Sequence, residues 1–153
     1  MANIVFNIAK GRVVEYYNRV KTNDPANAAL ILVPIETSGL ESDAVLIDKD
    51  DLAAVLSGTT NEQTTMGRKT LSDAELAALP APDDTNDRYE VSLPTVTWTA
   101  ATGNAISKVL VCYDADTTGG ADSAILPLTL FDAAATPDGN DLQLTSGVFF
   151  RAS

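Results

Sequence analysis

The sequence predicts a single α+β domain: a mostly antiparallel β body, sandwich or barrel-like, with an N-terminal helix and two short helices on one side. Three observations carry this. Apolar residues recur at helical spacing from Phe6 to Val20. A continuous apolar run follows from Ala28 to Ile35. The last third then alternates short β-branched and aromatic runs with Gly, Pro, Asn and Asp clusters, the pattern of an antiparallel unit. A chain of 153 residues is long enough for one domain with a modest core. Residues 1–25 read as a helical segment suited to docking, and 26–153 as the β-rich body.

Phe6, Ala9, Val13, Tyr16, Tyr17 and Val20 lie at steps of three and four, which is an amphipathic helix. Gly11 weakens it by about 1 kcal/mol relative to Ala, so a late start is expected. Pro25 ends it by disfavouring helical geometry at Asp24. Ala28 to Ile35 fits a strand buried on both faces, with Pro34 marking its end or a sheet edge. A helix is expected near Lys49 to Leu56, with Asp48 as N-cap and Gly58 as stop. A second runs from Asp73 to Leu79, opened by the capping box Ser72-Asp73-Ala74-Glu75 and closed by Pro80. The polar, Thr-rich stretch between them holds a strand near Thr65 to Leu71. Pro80 to Asp87 is a linker or exposed loop. Strands follow near 88–93, 95–99, 107–113, 124–131 and 143–151.

The net charge is −11 with a pI near 4.1, which makes nucleic acid a poor partner. No apolar run approaches the ~20 residues of a membrane span, so no membrane partner is expected. Histidine is absent and Cys112 is the one cysteine. Most zinc, haem and iron–sulfur schemes need His or several Cys, and Ser-His-Asp and Cys-His catalysis need His. Phosphate-loop and dinucleotide-loop glycine motifs are missing as well. The sequence therefore points to no cofactor and no catalytic residue. Met1-Ala2-Asn3-Ile4 lacks the basic and apolar regions of a secretory leader, so synthesis in a cytoplasm is expected.

The charge is uneven. Residues 1–22 hold Lys10, Arg12, Arg19 and Lys21 against Glu15 alone, a net of +3, while the remainder carries −14. Such a segment suits an acidic surface, either the rest of the same fold or another molecule.

Four candidate sites stand out. Asp114-Ala115-Asp116-Thr117-Thr118-Gly119, with Asp122 beyond, resembles the start of a calcium loop. Its metal candidates are Asp114, Asp116 and Asp122, but Ile125 stands where that loop needs a bidentate Glu. The competing reading is a hairpin loop whose Asp and Gly supply turn geometry. Asp83, Asp84 and Asp87 form an acidic cluster, which serves acid–base chemistry only inside a cleft. Trp98 shares a strand face with Val96, as a core anchor or as part of a subunit interface. Cys112, within Val109-Leu110-Val111-Cys112-Tyr113, reads as a buried structural thiol.

Two stretches carry a family resemblance. One runs from Phe6-Asn7-Ile8-Ala9-Lys10-Gly11-Arg12-Val13-Val14-Glu15-Tyr16 through Asn23-Asp24-Pro25-Ala26-Asn27-Ala28-Ala29-Leu30. The other runs from Asp83-Asp84-Thr85-Asn86-Asp87-Arg88 through Thr97-Trp98-Thr99 and Val111-Cys112-Tyr113-Asp114 to Val148-Phe149-Phe150-Arg151. Together they resemble a family of small tailed-bacteriophage virion proteins, in which a Trp strand precedes an apolar-Tyr-Asp strand and the chain ends near an apolar-Arg sequence. The resemblance implies a capsid cement or decoration protein made in the bacterial host cytoplasm. It would sit on the capsid exterior of the virion as a homo-oligomer, a trimer, bound to the major capsid protein. Phe6, Lys10, Arg12, Tyr16, Tyr17, Arg19 and Trp98 are the candidate capsid or subunit contacts. A head-to-tail connector or tail component is the alternative within the virion, and a fibre-like host-surface binding module the alternative outside that role.

Overall fold

A computed structural model describes residues 4–152. The opening Met1-Ala2-Asn3, which carries most of the no-leader expectation, lies outside them. The chain is α+β with mostly antiparallel strands, as the sequence predicts. In order it forms β1 (Ile4–Val5), α1 (Val13–Lys21), β2 (Ala29–Glu36), α2 (Asp43–Leu46), α3 (Leu52–Leu56), β3 (Lys69–Leu71) and α4 (Asp73–Leu76). Then come β4 (Tyr89–Leu93), β5 (Val96–Trp98), β6 (Ile106–Asp114), β7 (Leu126–Ala135), β8 (Leu142–Leu144) and β9 (Gly147–Ala152). Short 3₁₀ turns cover Asn7–Ala9 and Asp122–Ala124.

The main sheet has five strands in the order β1-β7-β6-β2-β3. Every neighbouring pair is antiparallel. β2 is an interior strand, flanked by β6 and β3 and buried from Ala29 to Ile35, which explains the continuous apolar run. Pro34 does not end the strand. It pairs with Val109 inside the β2–β6 ladder, and β2 runs on to Glu36.

The remaining strands form one bent ribbon. β4 pairs with β9 as far as Leu93 opposite Gly147, and β5 pairs with β8 from Val96 opposite Leu144. Pro94-Thr95 and Thr145-Ser146 make the bend. Pro94 has no N–H to donate, so the ladder breaks there. The Ser146 N–H donates to Thr95 Oγ1 at 3.1 Å and holds the corner. The single strand expected over 143–151 is therefore two.

Side-chain alternation sorts the covering layers. Tyr113 of β6 stacks on Tyr16 of α1, with ring centroids 4.6 Å apart. Tyr17 of α1 meets Tyr89 of β4 and Phe149 of β9, both with centroids 6.2 Å away. Helix α1 and the ribbon thus share one face of the sheet. Lys108, an odd number of residues from Tyr113 in an unbroken stretch of the β2–β6 ladder, points to the other face. There its Nζ lies 3.3 Å from Asp43 of α2.

Local signals explain most boundaries. Gly11 takes a φ of +78°, which ends the first 3₁₀ turn and delays α1 to Val13. Ser72 and Glu75 form the expected capping box, and α4 ends at Leu76. The α3 cap is Asp51, not Asp48: its side chain accepts from Ala54 N–H at 2.7 Å. Asp48 instead accepts from the side-chain amide of Asn7. Helix α2, one turn long, has too few residues to show a periodic pattern in the sequence. No helix among the described residues is long and apolar enough to cross a membrane.

Candidate functional site

The sequence-predicted contact residues divide by burial. Phe6, Tyr16, Tyr17 and Trp98 belong to the hydrophobic core, at 0, 5, 0 and 2% exposure. Their aromatic area is spent inside the fold, so these four do not offer a contact surface. Trp98 is fixed further, its indole N–H donating to the Gly67 carbonyl at 2.9 Å. Lys10, Arg12 and Arg19 are exposed.

Helix α1 arranges those cations because its apolar face points inward. Val13, Tyr16, Tyr17 and Val20 are buried, which turns Arg12, Glu15 and Arg19 outward along one stripe. Arg12 Nε is 3.2 Å and Arg19 Nη2 3.0 Å from the Glu15 carboxylate. Hydrogen bonding from Arg12, and then from Arg19, holds that carboxyl below its ordinary range. The Arg12 guanidinium also lies 4.6 Å from the Tyr16 ring centroid. Both guanidiniums are therefore oriented, Arg19 meeting the Tyr113 hydroxyl as well, and each keeps N–H donors for another molecule. Lys21 Nζ donates to the Leu79 and Pro80 carbonyls at 2.7 and 3.2 Å. Among the described residues, no ion pair joins residues 4–22 to the acidic remainder.

The calcium-loop candidates have other partners. Asp122 accepts from Arg68 at 2.6 and 2.9 Å, and Arg68 also holds Glu62 at 2.6 and 2.8 Å. Asp114 accepts from the Asp116 N–H at 3.0 Å. Asp116 accepts from the Thr118 N–H at 3.0 Å and hydroxyl at 2.6 Å. These are local turn bonds, as the hairpin-loop reading requires. No group of three or more His, Cys, Asp or Glu residues suited to a metal ion occurs among the described residues.

Two concave places stand out among the described residues. Asp83, Asp84, Asp87, Arg88 and Tyr89 line a shallow depression of about 360 Å³. Asp83 is engaged, accepting from Asn86 Nδ2 at 2.6 Å with Arg88 Nε at 3.6 Å. Asp84 and Asp87 are exposed, and no hydrogen bond or ion pair of their side chains occurs among the described residues. Leu93, Phe131, Leu144, Val148 and Phe149 line an apolar hollow of about 230 Å³ inside the ribbon's corner. The sequence gives no sign of that hollow beyond Pro94, because it arises only when the ribbon bends over β7.

Sequence reasoning also missed Arg68, which joins the loop before β3 to the β6–β7 connection, and Lys108, which ties the sheet to α2. Lys108 Nζ reaches Asp132 at 2.7 Å as well as Asp43. Their signal was scarcity: in so acidic a body, an isolated cation is where carboxylates gather. No protein-family model, curated protein or solved structure matches the chain.

Proposed function

We propose that the chain is a structural protein of a tailed-phage particle, a capsid cement protein that binds the outer surface of the head and stabilises its lattice. The sequence resemblance names the class. The structural observation that supports it is the net positive charge of exposed Lys10, Arg12 and Arg19, offset only by Glu15, on an otherwise acidic surface, backed by the Tyr16–Tyr113 stack. Charge left outside a fold suits docking to another molecule. A protein that binds only the assembled lattice stabilises that lattice by mass action, and many weak contacts add through avidity. The major capsid protein and further copies of this chain are the partners.

The test is copy number and position in a density map of purified particles. Many copies on the outer shell, bridging capsomers, are expected. A single ring at one vertex would make the chain a connector or tail component, and absence from the particle would overturn the virion role.

A further inference from the structure

The basic stripe and the acidic depression belong to one surface region. Tyr89, in the wall of the depression, donates its hydroxyl to Asn18 of α1 at 3.0 Å. Lys21 of α1 binds the Leu79 and Pro80 carbonyls just before the acidic loop. Asn18 and Lys21 lie on one flank of α1, while Arg12, Glu15 and Arg19 follow the other. The two patches therefore flank the same helix with opposite charge, and no ion pair joins them within one molecule among the described residues.

We propose that a second copy of this chain seats its Arg12 and Arg19 in the depression bearing Asp84 and Asp87. Charge complementarity selects this occupant: beside the Arg88–Asp83 pair the depression carries two uncommitted carboxylates, and the stripe carries guanidiniums oriented by Glu15 that pair with no carboxylate beyond α1 among the described residues. Guanidinium–carboxylate pairing is the strong form of such a contact, because the planar fork matches two carboxylate oxygens. Donor and acceptor are different patches, so the contact satisfies every copy when the assembly closes into a ring or a two-fold pair. The proposal deepens the multi-copy reading above by naming the joint between copies.

Sedimentation equilibrium of the purified full chain tests it. The weight-average mass should rise above that of one 16.1 kDa chain with concentration at low salt. It should fall back toward one chain at about 1 M salt, where the screening length shrinks to about 3 Å. R12E/R19E and D84K/D87K should each sediment as single chains. An equimolar mixture of the two should associate again, since each then offers the patch the other lacks. A single-chain mass at every concentration and salt would overturn the proposal. So would association that survives both reversals. Circular dichroism on each variant checks that these exposed substitutions leave the fold intact. Cosedimentation of D84K/D87K, which keeps the basic stripe, with heads separates the two readings: lost self-association with retained head binding leaves the cement function standing.

Discussion

The Trp98 indole N–H donates to the Gly67 carbonyl at 2.9 Å, joining the bent ribbon to the loop before β3. Lys69, two residues on, places its ammonium 6.0 Å from the centre of the same ring. One side chain therefore fills the core and pins a loop that has no ladder of its own. Trp98→Ala should cost about 3–5 kcal/mol, the usual penalty for an aromatic cavity. In a chain of this size that lowers Tm on the order of 10 °C. Trp98→Phe keeps most of the area and loses the hydrogen bond, and should cost about 1–2 kcal/mol. Thermal melts order the three proteins; equal melting of Trp98→Phe and Trp98→Ala would mean the bond, not the packing, dominates.

Arg68 makes an acid-sensitive tie. Its hydrogen bonds hold the Asp122 carboxyl below its ordinary value, against the opposing effect of burial. A carboxyl with a depressed folded pKa contributes stability above its unfolded value, and loses it as pH falls through the folded one. Arg68→Met should therefore destabilise by about 1–3 kcal/mol near neutral pH, the Arg68 side chain being only 28% exposed. The gap to wild type should narrow near pH 3, as Asp122 approaches protonation. Urea midpoints at both pH values measure this. An unchanged gap would assign the loss to packing of the Arg68 stem.

These two residues show what the sequence carries and what it does not. The β2 run, the Ser72 capping box and the delayed start of α1 follow from local patterns, and local patterns are legible. Trp98 reads as a core anchor for the same reason, from alternation with Val96. The partner of Arg68 is a different matter. Asp122 lies fifty-four positions away, and only the assembled loops bring the two together. The basic stripe was visible as composition, but its separation from the body carboxylates required the fold. The apolar members of that segment, Phe6, Tyr16 and Tyr17, stand among the candidate contacts because helix periodicity marks an apolar face without saying what covers it.

Cys112 sits at 0% exposure in β6, opposite Ile31 and Pro127. Burial pushes its thiol well above the ordinary range, so the reactive thiolate is scarce while the fold is closed. A thiol-specific maleimide should leave the native chain unlabelled and label it fully in urea. Rapid native labelling would place β6 among the locally opening segments. Cys112→Ser puts a hydroxyl in the same apolar site and should cost about 1–3 kcal/mol.

Tyr17 carries an opposite expectation. Its ring is fully buried between α1 and the ribbon, yet its hydroxyl makes no well-formed hydrogen bond among the described residues, the Ser92 backbone approaching it without good bonding geometry. A buried polar group without a partner costs about 1–3 kcal/mol, and Phe preserves the ring contacts with Tyr89 and Phe149. Tyr17→Phe should therefore match or exceed wild type in stability at neutral pH. The alkaline limb separates the two proteins further. Burial pushes the Tyr17 hydroxyl up to about 12, above the ordinary value of 10.0. A group whose folded pKa is raised contributes stability below its unfolded value and loses it as pH climbs through the folded one. Wild type should thus weaken across that window by more than Tyr17→Phe does, although Tyr89 and Tyr113, raised by burial as well, contribute in both. Chemical denaturation across the window reads the difference. A Tyr17→Phe variant less stable than wild type at neutral pH would show that the hydroxyl makes a stabilising bond in solution.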